Sequence, residues 1–330
     1  MAFFDLSGDQ LRDYRPQVRR EDDFESFWRS TLETELARPL DVQMERLETP
    51  LTTLDVRDVS FAGFGGQRVH AWLLVPAGAV GPLRTVVQYR GYSGGRGYPW
   101  RESLYATAGY AHLVLDSRGQ GWKQPALRPL TPDEHPSAGG TRSPGLMTVG
   151  IESPETYYYR RLYVDAVRLL QLAGQSELVD RDRIAVVGTS QGGAMTIAAA
   201  GLAAMAGLPL AAAVPNVPFL CDFGRAVGLT DAYPYQEIAD WLNGHPADED
   251  QVFRTLSYVD GVNLAPYAQV PALFSTALMD QVCPPSTVYA AYNAWGHQQK
   301  EITVYRWNGH EGGGDHHSWH ALHWLRETLA

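Results

Sequence analysis

Along this chain the apolar positions follow two patterns: alternation with polar residues in the first quarter, then short, nearly unbroken apolar runs. LDVRDVSFAGFGGQRVHAWLLVPAG, residues 54–78, alternates on both sides of a Gly-rich turn. It predicts a β-hairpin leading into a sheet. Ahead of it, residues 20–38 set Phe24, Phe27, Trp28, Leu32 and Leu36 at helical spacing, so an amphipathic helix is expected to pack on the main body. Six later runs, RTVVQY, AHLVLD, IAVVG, LAAAVPN, ALFSTA and EITVYRW, are short and largely apolar, as strands buried on both faces are.

Helical stretches separate these runs. Residues 154–173 place Leu162, Ala166, Leu169, Leu170 and Ala173 on one face, with Ser153 as N-cap and Pro154 in the first helical position. Residues 218–269 carry helices and no good strand, an inserted segment ahead of ALFSTA, and SWHALHWLRETL forms a last helix. Strands alternating with helices predict a mostly parallel sheet covered on both faces. Residues 1–330 read as one α/β domain, with a helical extension over residues 1–50 and the hairpin before the sheet.

Composition narrows the function classes. The net charge of −10 disfavours nucleic acid and anionic membrane as partners, because phosphates would be repelled. No basic start or apolar stretch of signal-peptide length opens the chain, and no run reaches a membrane span of about 18 residues. Cys221 and Cys283 are too few for a disulfide scaffold and read as buried thiols. A cytoplasmic location is the expectation.

Ligands of parallel α/β sheets bind beyond the carboxyl ends of the strands. Ser190 follows IAVVG in the pattern Gly188-Thr189-Ser190-Gln191-Gly192, and the next stretch, AMTIAAAGLAAMAG, is built of small residues. That is the strand–turn–helix setting of a nucleophile elbow. A serine needs a base to take its proton and the base needs an orienting carboxylate. Asp280 follows ALFSTA and His310 follows EITVYRW, in the order Ser, Asp, His. A histidine base predicts activity that falls below about pH 6. Asp222, Asp240 and Asp260 read as caps or surface groups, and His112 stands at the wrong end of its strand.

Two backbone amides should hold the oxyanion. Gln191 follows the nucleophile, and Tyr92 in VVQYRGYSGGRG is the candidate for the second, although those glycines also fit an ordinary turn. Arg118 in DSRGQG reads either as a brace, with Glu311 its expected partner, or as a surface residue. His316, His317, His320 and His323 crowd the C-terminus without cysteine or H-E-x-x-H support, so neither metal nor cofactor is expected.

GYSGGRG, DSRGQG, GTSQGG, VPFLCDF, VFRTLSYVDGVN, LMDQVCPPST and NGHEGGG, in this order, resemble the family-seven carbohydrate esterases: acetyl xylan esterases and cephalosporin C deacetylases. The resemblance covers nearly the whole chain. It implies an α/β-hydrolase fold, with Ser190, Asp280 and His310 as triad and the Tyr92 and Gln191 amides as oxyanion hole. Arg118, Gly119 and Gln120 match its RGQ motif and Glu311 its HE motif, both supporting the site. It further implies a ring-like homohexamer and a small acetylated substrate. Arg90 departs from the family's frequent His and adds a cation near the mouth; Ser93 stands where Asn is frequent. The expected function is a serine esterase that deacetylates acetylated xylooligosaccharides and cephalosporin C-like esters through an acetyl-enzyme. The alternatives are a peptidase of prolyl-oligopeptidase type or a non-catalytic binding protein on the same fold.

Overall fold

A computed structural model describes residues 3–138 and 144–330. Two N-terminal helices, α1 (Gly8–Asp13) and α2 (Phe24–Leu36), precede a nine-stranded sheet. Its strands are β1 (Gln43–Leu47), β2 (Leu54–Ala62), β3 (Arg68–Pro76), β4 (Leu83–Tyr89), β5 (Ala111–Leu115), β6 (Val179–Thr189), β7 (Ala212–Asn216), β8 (Ala272–Ala277) and β9 (Lys300–Tyr305). Their order is β1-β2-β3-β5-β4-β6-β7-β8-β9. The pairs from β5 through β9 are parallel, while β1, β2 and β3 run antiparallel. The predicted hairpin is β2–β3, closed where Ala62 pairs with Arg68.

The remaining helices are α3 (Leu104–Thr107), α4 (Tyr158–Gln175), α5 (Gln191–Ala206), α6 (Phe223–Leu229), α7 (Gln236–Gly244), α8 (Glu249–Ser257), α9 (Gly261–Leu264), α10 (Pro285–Ala294) and α11 (Gly314–Thr328). One face of the sheet packs against α2, α4, α5 and the inserted helices through the main apolar core. The other face meets α3 and α11. This is the α/β-hydrolase arrangement.

Three local expectations are corrected. The extension does not end as helix: β1, QMERL, is an exposed edge strand that only its backbone pairing with β2 reveals. Helix α4 starts after Tyr157 rather than at Pro154. Residues 153–156 instead close a turn on the Gly150 carbonyl, and the Thr156 carbonyl is taken by the Arg161 guanidinium at 2.5 Å. Finally β9, expected to be buried on both faces, is the opposite edge and is half exposed, because only β8 pairs with it.

Two buried histidines carry a pH consequence. Burial pushes His112 down to about 3 and His317 down to about 4. His112 sits inside the sheet with its Nε2 2.8 Å from Gln88 Oε1. His317 lies on α11 between Asn216 Oδ1 and the Tyr305 hydroxyl. Both are therefore neutral when folded, yet in the unfolded chain they would take a proton below about pH 6.5. Their contribution to stability is full above that pH and is lost as the pH falls toward 4. Buried Asp260, pushed up to about 7 by desolvation, acts in the opposite sense, so the histidine effect is read as a difference between variants. The stability advantage of the native chain over His317→Gln is expected to shrink by up to about 1.4 kcal/mol per pH unit below 6.5. Urea unfolding at pH 7.5, 6 and 5 measures it, and a constant difference refutes it.

Candidate active site

Ser190 stands between β6 and α5 with φ 61° and ψ −120°, a conformation that ordinary side chains avoid. The turn is tight enough to require glycine on either side. A Cβ on Gly188 would lie 2.2 Å from the Gly192 carbonyl oxygen, and one on Gly192 would lie 2.2 Å from that of Tyr89. The Ser190 amide donates to the Asn216 carbonyl at 3.0 Å, which pins the turn to the end of β7. The serine hydroxyl is thereby raised above the carboxyl end of the sheet.

His310 and Asp280 arrive from the loops after β9 and β8. His310 Nε2 lies 3.0 Å from Ser190 Oγ, and its Nδ1 lies 2.9 and 3.1 Å from the two oxygens of Asp280. Asp280 is fully buried and also accepts the Val282 and Cys283 amides, at 2.8 and 3.0 Å. These bonds aim its carboxylate at the ring. They also favour the tautomer with hydrogen on Nδ1 and a lone pair on Nε2, facing the serine. The order and strand-end placement expected from sequence thus correspond to one connected chain of hydrogen bonds.

The Tyr92 and Gln191 amides make no hydrogen bond to protein among the described residues, so both are available to a ligand. Gln120 links the two segments that carry them. Its Oε1 accepts the Ser93 amide at 2.7 Å, and its Nε2 donates to Gln191 Oε1 at 2.8 Å and to the Tyr158 hydroxyl at 2.9 Å. Gln191 in turn accepts from the Tyr159 hydroxyl and donates to the Arg90 carbonyl. Gly119, at φ +68°, lies between Arg118 and Gln120 and lets the motif turn.

Arg118 is buried, as a brace would be, but its expected partner is wrong. It forms a two-pronged pair with Asp165, at 2.5 and 2.7 Å, and reaches Asp133 at 3.4 Å. Asp133 is shared with Arg161, at 2.6 Å. Glu311 is exposed and instead holds its own turn, through the Asn308 side chain and the Gly309 amide. The bonds from Asn308 keep its carboxyl below the ordinary range. A salt bridge across the site was not needed, because α4 brings its own buried acid underneath Arg118.

Several contributors escape sequence reasoning. The Tyr92 phenol donates to Glu237 on α7 at 2.8 Å and accepts the Gly145 and Leu146 amides. Burial raises the Glu237 carboxyl. The inserted segment thus fixes the loop that carries the Tyr92 amide. The charge of Arg90 is neutralised by Glu102 at 2.5 Å, so the departure from the family's His adds little free cation at the mouth. Asp260 caps α9, Asp222 accepts the Tyr14 hydroxyl, and Asp240 is a surface group. Cys221 and Cys283 are buried and unbridged.

Asp280, Cys283 and His310 are the residues whose ligand atoms cluster closely enough to hold a metal ion, among the described residues. Burial, followed by Asp280, pushes the Cys283 thiol well up. A metal there would also compete with the bonds that aim His310 at Ser190. No helix among the described residues is long and apolar enough to cross a membrane.

The geometry has close relatives. The acetyl xylan esterase (AXE1) family matches residues 1–328. The acetyl xylan esterase of Paenibacillus sp. R4 is 38% identical with a TM-score of 0.86, covering 98% of this chain and 99% of that one. Acetyl xylan esterase 1 of Thermoanaerobacterium sp. JW/SL YS485 is 30% identical with a TM-score of 0.87, covering 99% and 100%. The acetyl esterase Axe7A of Xylanibacter ruminicola is 25% identical over 299 residues, 84% of this chain but 61% of that longer protein. An acylaminoacyl peptidase of Pyrococcus horikoshii shares the fold alone, at 17% identity and a TM-score of 0.57. With its pattern matched almost from end to end and two solved members superposing over nearly the full length, this chain belongs to the acetyl xylan esterase family.

Proposed function

We propose that the protein is a serine esterase that removes acetyl groups from small acetylated carbohydrates, acetylated xylooligosaccharides first among them, and from acetyl esters such as cephalosporin C. The observation that carries this is the Ser190–His310–Asp280 chain of hydrogen bonds, at 3.0 Å and 2.9 Å. Membership of the acetyl xylan esterase family supports the choice of acyl group.

In this reading Ser190 Oγ attacks the acetyl carbonyl carbon while His310 Nε2 takes its proton. The carbonyl oxygen becomes an oxyanion held by the Tyr92 and Gln191 amides. Asp280 keeps the imidazole oriented and stabilises its charged form. The tetrahedral intermediate collapses, the C–O bond to the sugar breaks, and His310 returns the proton to the departing alkoxide. Water then attacks the acetyl-enzyme, again giving a proton to His310, and acetate leaves as Ser190 is reprotonated. Arg118, Gly119, Gln120 and Glu311 touch no reacting atom and position the groups that do.

Acetate release across acetylated xylooligosaccharides, cephalosporin C and nitrophenyl esters of rising chain length tests the proposal. Acetyl esters are expected to be turned over best, and a preference for acyl chains of about eight carbons or more would overturn it. Gln120→Leu tests the positioning role. It leaves the Ser93 amide without its partner and the Gln191 side-chain oxygen with the Tyr159 hydroxyl alone. A kcat lower by about ten- to a hundredfold with little change in KM is expected, since a whole lost oxyanion donor costs about 10²–10³. Unchanged kcat would remove Gln120 from the site.

The family resemblance also favours a homohexamer, which sedimentation of the purified chain would reject if it ran as a monomer. The two unbridged, buried thiols favour a cytoplasmic location. Fractionation of cells making the chain would reject that if the activity were found outside.

A further inference from the structure

At the end of the sheet opposite Ser190 lies a cavity of about 460 Å³. It opens beneath the first residues of β4 and β6, and α11 forms its other wall. Arg84, Arg183 and Arg326 line it with a single carboxylate, Asp180, which pairs with Arg183 at 2.7 Å. Arg84 and Arg326 have no ion-pair partner among the described residues; Arg326 lies 3.3 Å from the His323 ring nitrogen. In a chain of net charge −10 this is a local excess of positive charge.

Two aromatic residues complete the lining. Tyr110 is 4% exposed, and its hydroxyl, shielded from solvent, lies against Arg84 with Arg326 close by. It steadies the Arg84 guanidinium at the cavity wall. Trp319 lines the same space and is 64% exposed, with the His323 ring packed on it at a centroid distance of 4.6 Å. A large indole left open beside guanidiniums offers a flat apolar face. Guanidinium forks match the geometry of carboxylates and phosphates. The volume exceeds what a bare ion needs and lies within the usual range of small-molecule sites, about 300–1,000 Å³.

We propose that this cavity binds a sugar bearing an anionic group, carboxylate or phosphate, with the anion between Arg84 and Arg326 and the sugar ring against Trp319. The site is a binding site without chemistry of its own. Strand β4 runs from Leu83 beside the cavity to Tyr89 beneath the serine turn, which separates the two by roughly 20 Å at about 3.3 Å per residue.

Isothermal titration of the native protein at low salt with glucuronate, glucose 6-phosphate, xylose and inorganic phosphate tests this. At least one charged sugar should bind more tightly than xylose and than inorganic phosphate, and which one it is distinguishes carboxylate from phosphate recognition. The Arg84→Gln/Arg326→Gln variant should bind that sugar at least about tenfold more weakly, as expected for lost hydrogen bonds to a charged group. Trp319→Ala, a change at an exposed position, should weaken the charged sugar while leaving inorganic phosphate unaffected. Turnover of nitrophenyl acetate should persist in both variants and reports that they are folded. Failure of both charged sugars to bind, equal binding of xylose or inorganic phosphate, or unchanged affinity in Trp319→Ala would each overturn the proposal.

Discussion

Ser190→Ala is expected to lose turnover by about 10⁴-fold or more, with folding intact. The variant removes the attacking oxygen with its hydrogen bond to His310 and its contact with the Cys283 thiol, and what survives is the slow reaction promoted by binding and oxyanion donors. Ser190 also occupies φ 61° and ψ −120°, backbone that stores about 1–3 kcal/mol of strain in a residue with a Cβ. Ser190→Gly should therefore be equally inactive yet more stable, by about 1 kcal/mol. Initial rates of acetate release and urea unfolding of the three proteins decide both points. An alanine variant retaining more than about a hundredth of native turnover would remove Ser190 from the chemistry. A glycine variant less stable than alanine would show that the turn is not strained.

Asp165→Ala should be the most destabilising single change among the supporting residues. Its carboxylate takes both prongs of Arg118 and the Phe64 amide at 2.9 Å, and both charged side chains are about 1% exposed. Removing one partner of a buried pair leaves the other as an uncompensated charge, at about 3–5 kcal/mol. Among the described residues, Asp133 and Gln67 remain as hydrogen-bond partners of the guanidinium, at 3.4 and 3.0 Å. Arg118→Met/Asp165→Leu, which removes both charges and keeps the volume, should recover most of the loss. Urea unfolding reads all three proteins. A loss below about 1 kcal/mol in Asp165→Ala would mean that solvent or Asp133 already satisfies Arg118.

Much of the site was legible because the groups proposed for its chemistry sit at strand ends. Apolar runs mark where strands stop, so Ser190, Asp280 and His310 could be placed beyond the carboxyl ends of a parallel sheet before any geometry was known. The supporting residues were not legible in the same way. Arg118 reads as either a brace or a surface residue, because its partner lies 47 positions away and no local pattern pairs them. A signal did exist on α4, where Arg161, Asp165 and Arg168 fall at helical spacing among mostly apolar neighbours. All three are fully buried, and such a stripe inside an apolar helix implies internal partners. The link from Tyr92 to Glu237 had no comparable trace, because it joins a loop to the inserted segment across 145 residues. Strand β1 failed for a different reason: an edge strand needs only backbone pairing, so its mostly exposed side chains show no buried alternation and it reads as part of the helical extension.

Gln120 and Arg118 rest on α4, whose residues lie in the main core. Regions that open independently of global unfolding are those with few buried contacts, and this foundation is the reverse. The segments behind the Tyr92 and Gln191 amides should therefore exchange their protected amide hydrogens only as slowly as the core itself. Heating would then leave no window in which the protein is folded but its catalytic centre has loosened: inactivation and loss of helical signal should coincide.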